Sequence, residues 1–339
     1  MADLTRKITI YDVAKRANVT IATVSRVING KDNVSAPTKE IVMQAIEDLN
    51  YYPSPIASGL SKRKSQEIGV LVPFFFGEFF LKLLDGIAKE LHDFDLILYD
   101  ATTPEQKKKL IAKVVGENKL DGLVVVSLPV RTDEEINLRK ARFPIALIDT
   151  MHPSYSSVCF DNTYGAYKAV EYLTGLGHKR IAIISGAIED PFHFTVASER
   201  LKGYKMGLSM ANIPINDKYI QINDWSRIGA NLITKKLMGM KEPPTAIFCV
   251  SDLQAVGALE TAREMGFRVP EDLSILGYDN MDFSDYIGLS TMSQPLSIAS
   301  QLGIELLKAE IDSGINKKEK IILQPALIER ATVAPVASL

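Results

Sequence analysis

The chain has 339 residues, of which 46% are hydrophobic and 24% charged, a composition typical of a soluble globular protein with room for a small domain and a larger body. Residues 1–65 carry 10 Lys+Arg and 6 Asp+Glu, whereas the remaining residues carry 29 and 35, so a basic segment precedes an acidic body. No apolar run approaches the ~20 residues that span a bilayer and no secretory signal is visible, so we expect a cytoplasmic protein without membrane contact.

Residues 1–52 are predicted to form three short helices. Helix one begins after Thr9, a good N-cap with Asp12 three residues on, and helix two begins after Thr20. Helix three begins near Ser35. The predicted inner faces comprise Ile10, Val13, Ala14 and Ala17 in helix one, Val24, Val27 and Ile28 in helix two, and Ile41, Val42, Ala45, Ile46 and Leu49 in helix three. Two such helices joined by a turn of about three residues form a helix-turn-helix, whose second helix lies in the major groove of DNA.

The outward face of helix two carries side chains suited to DNA. Arg26 can donate two parallel hydrogen bonds to guanine O6 and N7. Ile21 and Ala22 have no hydrogen-bonding side-chain groups, so they can meet a thymine methyl or allow close approach. Further DNA contacts, mainly to phosphates, are expected from Thr9, Tyr11, Thr20, Thr23, Ser25 and Asn29. On periodicity alone, an ordinary three-helix domain with no nucleic-acid partner is the alternative.

The order and spacing of three motifs identify a family resemblance. The run ITIYDVAKRANVTIATVSRVING, followed by VSAPT and LNYYPSPIASGL, resembles the amino-terminal signature of the lactose/galactose repressor family. The resemblance implies a DNA-binding transcriptional regulator in which Ile21, Ala22 and Arg26 read the major groove. A basic segment on an acidic body fits this reading, because DNA would dock on that segment alone.

The same resemblance places a hinge helix and linker in residues 53–65. It implies that Ala57 contacts the minor groove and that Leu60 is a wedge between base pairs. Ser54 stands where the family usually has Asn, but Ser is also an adequate N-cap. A helix this short that contains Gly59 cannot persist alone, because nucleation is too costly. We therefore expect the hinge to gain its stability from DNA and from a symmetry mate.

The body, residues 66–339, alternates short apolar runs with amphipathic stretches. Continuous Val/Ile-rich strands separated by helices predict parallel sheets covered on both faces, and the number of units favours two doubly wound α/β lobes with a cleft at the carboxyl ends of the strands. Strand candidates are 68–73, 96–99, 122–127, 145–148, 157–160, 181–184, 246–250 and 274–278, and helix candidates lie near 79–92, 105–118, 133–141, 164–176, 197–211, 227–240, 253–266 and 297–312.

The body also resembles the effector-binding and dimerisation core of the same family, which is similar to periplasmic sugar-binding proteins. The carrying blocks include DNTYGAYKAVEYLTGLGHKRIAIISG and PTAIFCVSDLQAVGALETAREMGFRVPEDLSILGYDN. The resemblance implies lobe 1 at about 66–162 and 293–323, lobe 2 at about 163–292 and 324–339, and crossings between them near 161–164, 291–294 and 322–325.

The resemblance carries an effector-binding role onto Asp149, Arg200, Ser251 and Asp279, with Trp225 as an aromatic wall. These groups suit a polyhydroxylated ligand, because a carboxylate accepts paired hydroxyls, a guanidinium donates a fork of hydrogen bonds and an indole stacks on the C–H face of a sugar. The alternatives are a structural Arg200–Asp279 ion pair and ordinary surface packing of Trp225.

The segment VPFFFGEFF, residues 72–80, departs from the family pattern, which usually has polar residues here. Phe80 is predicted to pack in the core. Stacking of Phe76 and Phe79 on an unusual sugar is the more specific hypothesis for the other two rings.

These observations predict a regulator, in the first instance a repressor, that binds a palindromic operator as a homodimer under allosteric control by a carbohydrate-like effector. A catabolite-control-type regulator that answers to a phosphorylated partner protein is the alternative, because the head resembles that branch. An enzyme is not expected, since the sequence has no GxSxG, GxxxxGK[ST] or HExxH motif. Cys159 and Cys249 lie in apolar runs without metal-ligand spacing, so neither a metal site nor a cofactor is expected.

Overall fold

The computed structural model divides the chain into two units, Met1–Arg63 and Lys64–Leu339. The structure describes residues 8–28, 33–51, 65–74 and 77–336. In these ranges, no helix combines the length and the apolar character needed to cross a membrane.

Three helices form the amino-terminal unit within the described residues. They are α1 (Ile10–Ala17), α2 (Ile21–Ile28) and α3 (Ala36–Asp48). Asp12 Oδ2 accepts hydrogen bonds from the backbone N–H of Thr9 at 2.8 Å and from its hydroxyl at 2.7 Å, which fixes the start of α1. Asn18 ends the helix with a left-handed φ of 53°.

The core of this unit follows the predicted faces with one correction. Its buried residues are Val13, Ala14, Ala17, Val24, Val27, Val42, Ala45 and Tyr51. Ile41 was predicted to be buried and is 53% exposed. The buried stripe of α3 runs through Val42 and Ala45, and Ile41 lies about 100° around the helix from Val42.

Lobe 1 is built on a six-stranded parallel sheet with strand order β11-β5-β4-β3-β1-β2. Its strands are β1 (Glu67–Val72), β2 (Asp95–Asp100), β3 (Gly122–Val126), β4 (Ile145–Ile148), β5 (Ser156–Phe160) and β11 (Lys320–Leu323). Its helices are α4 (Glu78–Glu90), α5 (Pro104–Glu117), α6 (Thr132–Leu138) and α12 (Leu296–Ser313).

Lobe 2 repeats this architecture with strand order β12-β10-β9-β8-β6-β7, in which only the β10–β12 pair is antiparallel. Its strands are β6 (Ile181–Ser185), β7 (Ile220–Ile222), β8 (Ala246–Cys249), β9 (Ser274–Asp279), β10 (Thr291–Ser293) and β12 (Ala326–Ile328). Its helices are α7 (Asn162–Gly175), α8 (Val196–Met210), α9 (Arg227–Met238), α10 (Asp252–Glu264) and α11 (Asp282–Tyr286). The predicted fold class is confirmed.

The described chain passes between the two sheets after β5, after β10 and after β11. These passages fall at residue 161, residues 294–295 and residues 324–325, at or next to the stretches that the sequence indicates. The second of these passages, residues 294–295, lines the cavity described below.

The sheets are buried on both faces, which explains their continuous apolar runs. In β1, Val70 and Val72 join the cluster on one face, whereas Leu71 joins the cluster on the other. Each fully buried side chain of this size stabilises the fold by about 1.5–3 kcal/mol relative to an exposed one. The sequence gives no comparable signal for β7, β11 and β12, because these edge strands have only three or four residues and are partly exposed.

Candidate nucleic-acid interface and ligand site

The amino-terminal unit presents an exposed face of α2. Ile21 is 38% exposed, Ala22 and Arg26 are exposed, and Thr23 and Ser25 are half-buried, while Val24 and Val27 form the opposite, buried face. Thr20 precedes the helix, and its hydroxyl accepts a hydrogen bond from the backbone N–H of Thr23 at 3.2 Å. The exposed first turn of α2 lies at the positive end of the helix dipole, which favours an anionic ligand.

An ion pair joins α1 to α3, beside a side-chain hydrogen bond within α3. Arg16 donates to Asp48 Oδ2 at 2.7 Å, and Gln44 donates to Asp48 Oδ1 at 3.0 Å. The Gln44 hydrogen bond and the Arg16 charge lower the pKa of Asp48, although desolvation opposes them. Thr9 and Tyr11 lie at the start of α1, and the Tyr11 ring is 68% exposed.

Several predicted site residues lie outside the described residues. They are Asn29, Ser54, Ala57, Leu60 and Phe76, together with most of the predicted hinge and linker.

Three of the predicted effector residues, Asp149 of lobe 1 and Arg200 and Asp279 of lobe 2, lie close enough for their charges to interact. Asp149 follows β4, and its Oδ2 accepts a hydrogen bond from the Ser127 hydroxyl, after β3, at 2.6 Å. Both residues have left-handed backbones, with φ of 59° and 56°. Burial raises the pKa of Asp149 to about 6, although the Ser127 hydrogen bond and the charge of Arg200 counteract it. The carboxylate therefore lacks enough hydrogen-bond donors to replace its lost hydration.

Arg200 of α8 is the centre of the polar cluster and is 3% exposed. It donates to Asn162 Oδ1 at 2.9 Å, to the carbonyl of Val250 and, over a longer 3.4 Å, to Asp279 Oδ1. Its guanidinium carbon lies 3.7 Å from the centre of the Tyr278 ring, a cation–π contact. The side chain is thus held from several sides.

Asp279 ends β9 with a φ of 112° and accepts a hydrogen bond from Gln294 Nε2 at 2.8 Å. Burial raises its pKa to about 8 against the opposing charge of Arg200, and the negative charge of Asp149 raises it further. The ion pair considered from the sequence therefore exists, but at 3.4 Å it compensates the burial of the carboxyl only in part.

Gln294 is a cleft residue that the sequence reading missed. It is 5% exposed, and its buried Oε1 has no hydrogen-bond partner among the residues that the structure describes. With Lys82, Asp279 and Asn280 it lines a cavity of about 300 Å³. A buried acceptor without a partner costs about 1–3 kcal/mol. Gln294 precedes α12 in the second passage between lobes, where no apolar pattern indicates a site.

Trp225 and Ser251 lie at strand ends of lobe 2. The Trp225 ring covers Gly186 at the end of β6, so closely that a Cβ at position 186 would lie 1.9 Å from Trp225 Cε2. Ser251 caps α10 by accepting a hydrogen bond from the backbone N–H of Gln254 at 3.3 Å. Gln254 Nε2 donates in turn to Asn223 Oδ1 at 2.6 Å, and the same oxygen accepts a hydrogen bond from the backbone N–H of Trp225 at 2.9 Å.

The Phe-rich segment contributes to the lobe core and to an aromatic contact across the cleft. Phe80 and Phe79 both pack partly buried against the lobe 1 core, with their rings 5.3 Å apart, edge to face. Phe74 lies edge to face with Phe192 of lobe 2 at 6.4 Å. Phe192 and Phe194 themselves pack against a lobe 1 cluster, so the loop after β6 bridges the lobes. The bridging rings of this loop were not predicted from the sequence.

Together, a three-helix head with an exposed α2 and a two-lobed α/β body with a polar inter-lobe cluster define the class of ligand-responsive DNA-binding regulators. The model for bacterial regulatory proteins of the lacI family matches residues 9–54, and that for the periplasmic binding protein-like domain matches residues 170–333. The catabolite control protein A of Priestia megaterium is 33% identical over 320 residues, which cover 91% of this chain and 95% of that protein.

Two solved structures show the same architecture over almost the whole chain. The lac repressor dimer bound to operator and the anti-inducer ONPF has a TM-score of 0.83 at 27% identity, covering 97% of this chain and 100% of that one. The complex of the transcriptional regulator CelR with cellobiose has a TM-score of 0.70 at 27% identity, covering 96% and 99%. The chain belongs to the lacI family of bacterial regulatory proteins. It is therefore a sequence-specific DNA-binding transcriptional regulator, as predicted.

Proposed function

We propose that this chain represses transcription by binding a palindromic operator as a homodimer, and that a small carbohydrate-like effector between the lobes controls that binding. The polar cluster of Asp279, Arg200 and Gln294, of which Asp279 and Gln294 line the cavity, carries the proposal. The cluster has binding chemistry, and we assign no catalytic step to it.

On the DNA side, Arg26 reads a guanine and Ile21 and Ala22 meet neighbouring base edges. Their exposure on α2 supports this assignment, as does the solved relative that is bound to an operator as a dimer. In the same proposal, Ala57 and Leu60 act in the minor groove, and Ser54 binds DNA at the start of the hinge helix. Further contacts, mainly to phosphates, come from Thr9, Tyr11, Thr20, Thr23, Ser25 and Asn29.

In the cleft, Asp149 and Asp279 accept hydroxyl donors, and Arg200 and Gln294 complete the hydrogen-bonding set. Raised carboxyl pKa values mean that both acids are incompletely solvated, and sugar hydroxyls would supply the missing donors. Trp225 and Phe79 supply aromatic surface, as Phe76 does by its sequence position. The solved complex of a relative with cellobiose supports a carbohydrate class of effector.

Exposed apolar side chains support the homodimer. Tyr286 of α11 is 88% exposed, Ile228 of α9 66%, Leu81 of α4 54% and Leu253 of α10 48%. Large exposed apolar side chains on several neighbouring elements are typical of protein interfaces. Two-fold symmetry of such a dimer would match a palindromic operator.

The experiment is a thermal-unfolding screen of the full chain with mono- and disaccharides, followed by operator binding with each stabilising sugar. A ligand at 100 times its Kd should stabilise the folded state by about 2.7 kcal/mol. Gln294→Ala should abolish the response, while Gln301→Ala, an exposed change on α12, should retain it. If no sugar responds but a phosphorylated partner protein does, the catabolite-control alternative replaces this assignment.

A further inference from the structure

A short segment of lobe 2, residues 280–283, reaches across to α4 of lobe 1. Lys82 Nζ lies 2.7 Å from Asp282 Oδ1 and donates to the carbonyl of Asn280 at 3.3 Å. The same ammonium lies 3.3 Å from Glu78 Oε1, and Glu78 accepts a hydrogen bond from the backbone N–H of Asp282. Two side chains of α4 thus bind both the backbone and the side chain of one lobe 2 segment.

The segment is also fixed to its own lobe. The buried carboxylate of Asp252 accepts hydrogen bonds from the Met281 N–H at 2.8 Å and from the Ser284 hydroxyl at 2.6 Å. Met281 is 5% exposed and, with Phe283, packs against the core cluster of lobe 1. A displacement of this segment therefore requires the two lobes to move relative to each other.

Residues 280–283 follow directly after Asp279, a residue of the proposed ligand site. Asp279 and Asn280 have positive φ values of 112° and 56°, conformations that persist only where surrounding contacts hold them. Lys82, Asp279 and Asn280 share the walls of the cavity beside Gln294. A ligand that pairs with Asp279 therefore acts within a few residues of the α4 contacts.

We propose that Glu78, Lys82 and Asp282 form an inter-lobe latch that favours the closed arrangement of the body and on which the effector acts. The three are positioning residues, and the link to the effector rests on the proposed ligand site. The latch itself does not, because its contacts join only residues of this chain.

Electrostatics agrees with this assignment. Lys82 and Glu78 are each 28% exposed at the side chain, and Asp282 is 79% exposed. Partial burial lowers the pKa of Lys82, but hydrogen bonds and charge from Asp282 and Glu78 outweigh it and the pKa is raised overall. Because exposed ion pairs are weak, breaking the latch should change the ratio of closed to open bodies by about two- to fivefold.

The chain offers a matched control on the same helix. Lys89 pairs with Asp85 at 2.6 Å, one helical turn apart, and both residues belong to α4. Lys89→Glu therefore makes the same charge change in the same helix without touching this inter-lobe pair.

The test measures the lobe-to-lobe distance without ligand by electron paramagnetic resonance on the full-length chain. Spin labels replace the exposed Lys109 of α5 and Lys205 of α8 in a Cys159→Ser background, because Cys159 is only partly buried whereas Cys249 is buried. Lys82→Glu and Asp282→Lys should each enlarge the long-distance population. The double variant Lys82→Glu/Asp282→Lys should restore the original distribution, and Lys89→Glu should leave it unchanged.

Unchanged distances in both single variants would overturn the latch, as would a double variant that stays open. Lys82→Gln replaces Lys82→Glu if the charge reversal impairs folding, and the same shift is expected from it. Since no sugar enters the measurement, a failed carbohydrate screen with a positive distance result would remove the proposed effector class and leave the latch intact.

Discussion

Replacing Gly186 by Ala should displace the indole of Trp225 from its packing position on lobe 2. Gly186 does not have a positive φ, so its backbone accepts Ala. The added Cβ, however, would lie 1.9 Å from Cε2, 2.2 Å from Cζ2 and 2.4 Å from Nε1 of Trp225. Carbon atoms in contact prefer about 3.5–4.0 Å, so the ring must move by well over 1 Å. We expect overpacking of this kind to cost about 1–3 kcal/mol.

Intrinsic fluorescence is a direct assay, because the chain has one tryptophan. The Trp225 ring packs partly buried against the lobe 2 core, so its displacement into water should shift the emission to longer wavelength and lower the unfolding temperature. Gly116→Ala is the control: Gly116 lies inside α5 with nothing within 4 Å of an added Cβ. That change should leave the emission unchanged and stabilise the helix by about 0.5–1 kcal/mol. A Gly186→Ala variant with native emission and unchanged stability would refute the close packing of ring and glycine.

Three further changes test the head and the buried carboxyl. Arg26→Ala should weaken operator binding by about 1–3 kcal/mol and relax the preference at one guanine. Arg16→Ala, which removes the ion-pair partner of Asp48, should leave the base preference intact. Binding to a set of single-base operator variants distinguishes the two outcomes. Leu60→Ala should reduce operator bending and specific affinity but not non-specific affinity, as measured by gel mobility with cognate and random DNA, and equal losses would contradict the wedge. Because the folded-state pKa of Asp279 is raised to about 8, the native protein holds this proton more tightly than the unfolded chain, and the stability from this group falls as pH rises from about 4 to 8. Urea unfolding at pH 5 and pH 8 should therefore show a smaller loss of stability for Asp279→Asn than for the unchanged protein. An equal loss would count against the raised pKa.

A strand can be predicted from the sequence where it is buried on both faces, because its residues then form an uninterrupted apolar run, as in β3 and β8. Such a prediction fails for β10, whose three residues Thr291–Ser293 are polar or flexible, although two of them are fully buried between β9 and the edge strand β12. The burial there follows from neighbouring strands, which local sequence does not encode.

The candidate ligand site also has residues that could be predicted from the sequence and residues that could not. Asp149 and Asp279 stand at the carboxyl ends of predicted strands, so the fold class itself directs attention to them. Gln294 lies in a passage between lobes, and Lys82 meets Asp282 only after the chain has crossed from lobe 1 into lobe 2. Such contacts depend on the closure of the two lobes, for which spacing along the chain carries no signal.

The last passage between the sheets has a consequence for synthesis on the ribosome. β11 and β12 are separated by two residues, yet each completes the edge of a different sheet. Lobe 1 also cannot complete its packing before α12 is synthesised, because α12 packs against α4, more than 200 residues earlier in the chain. Neither lobe can therefore complete its fold before the ribosome has synthesised the chain to the edge strands that end at residue 328. We expect both lobes to remain incomplete during translation and to complete their sheets at nearly the same time.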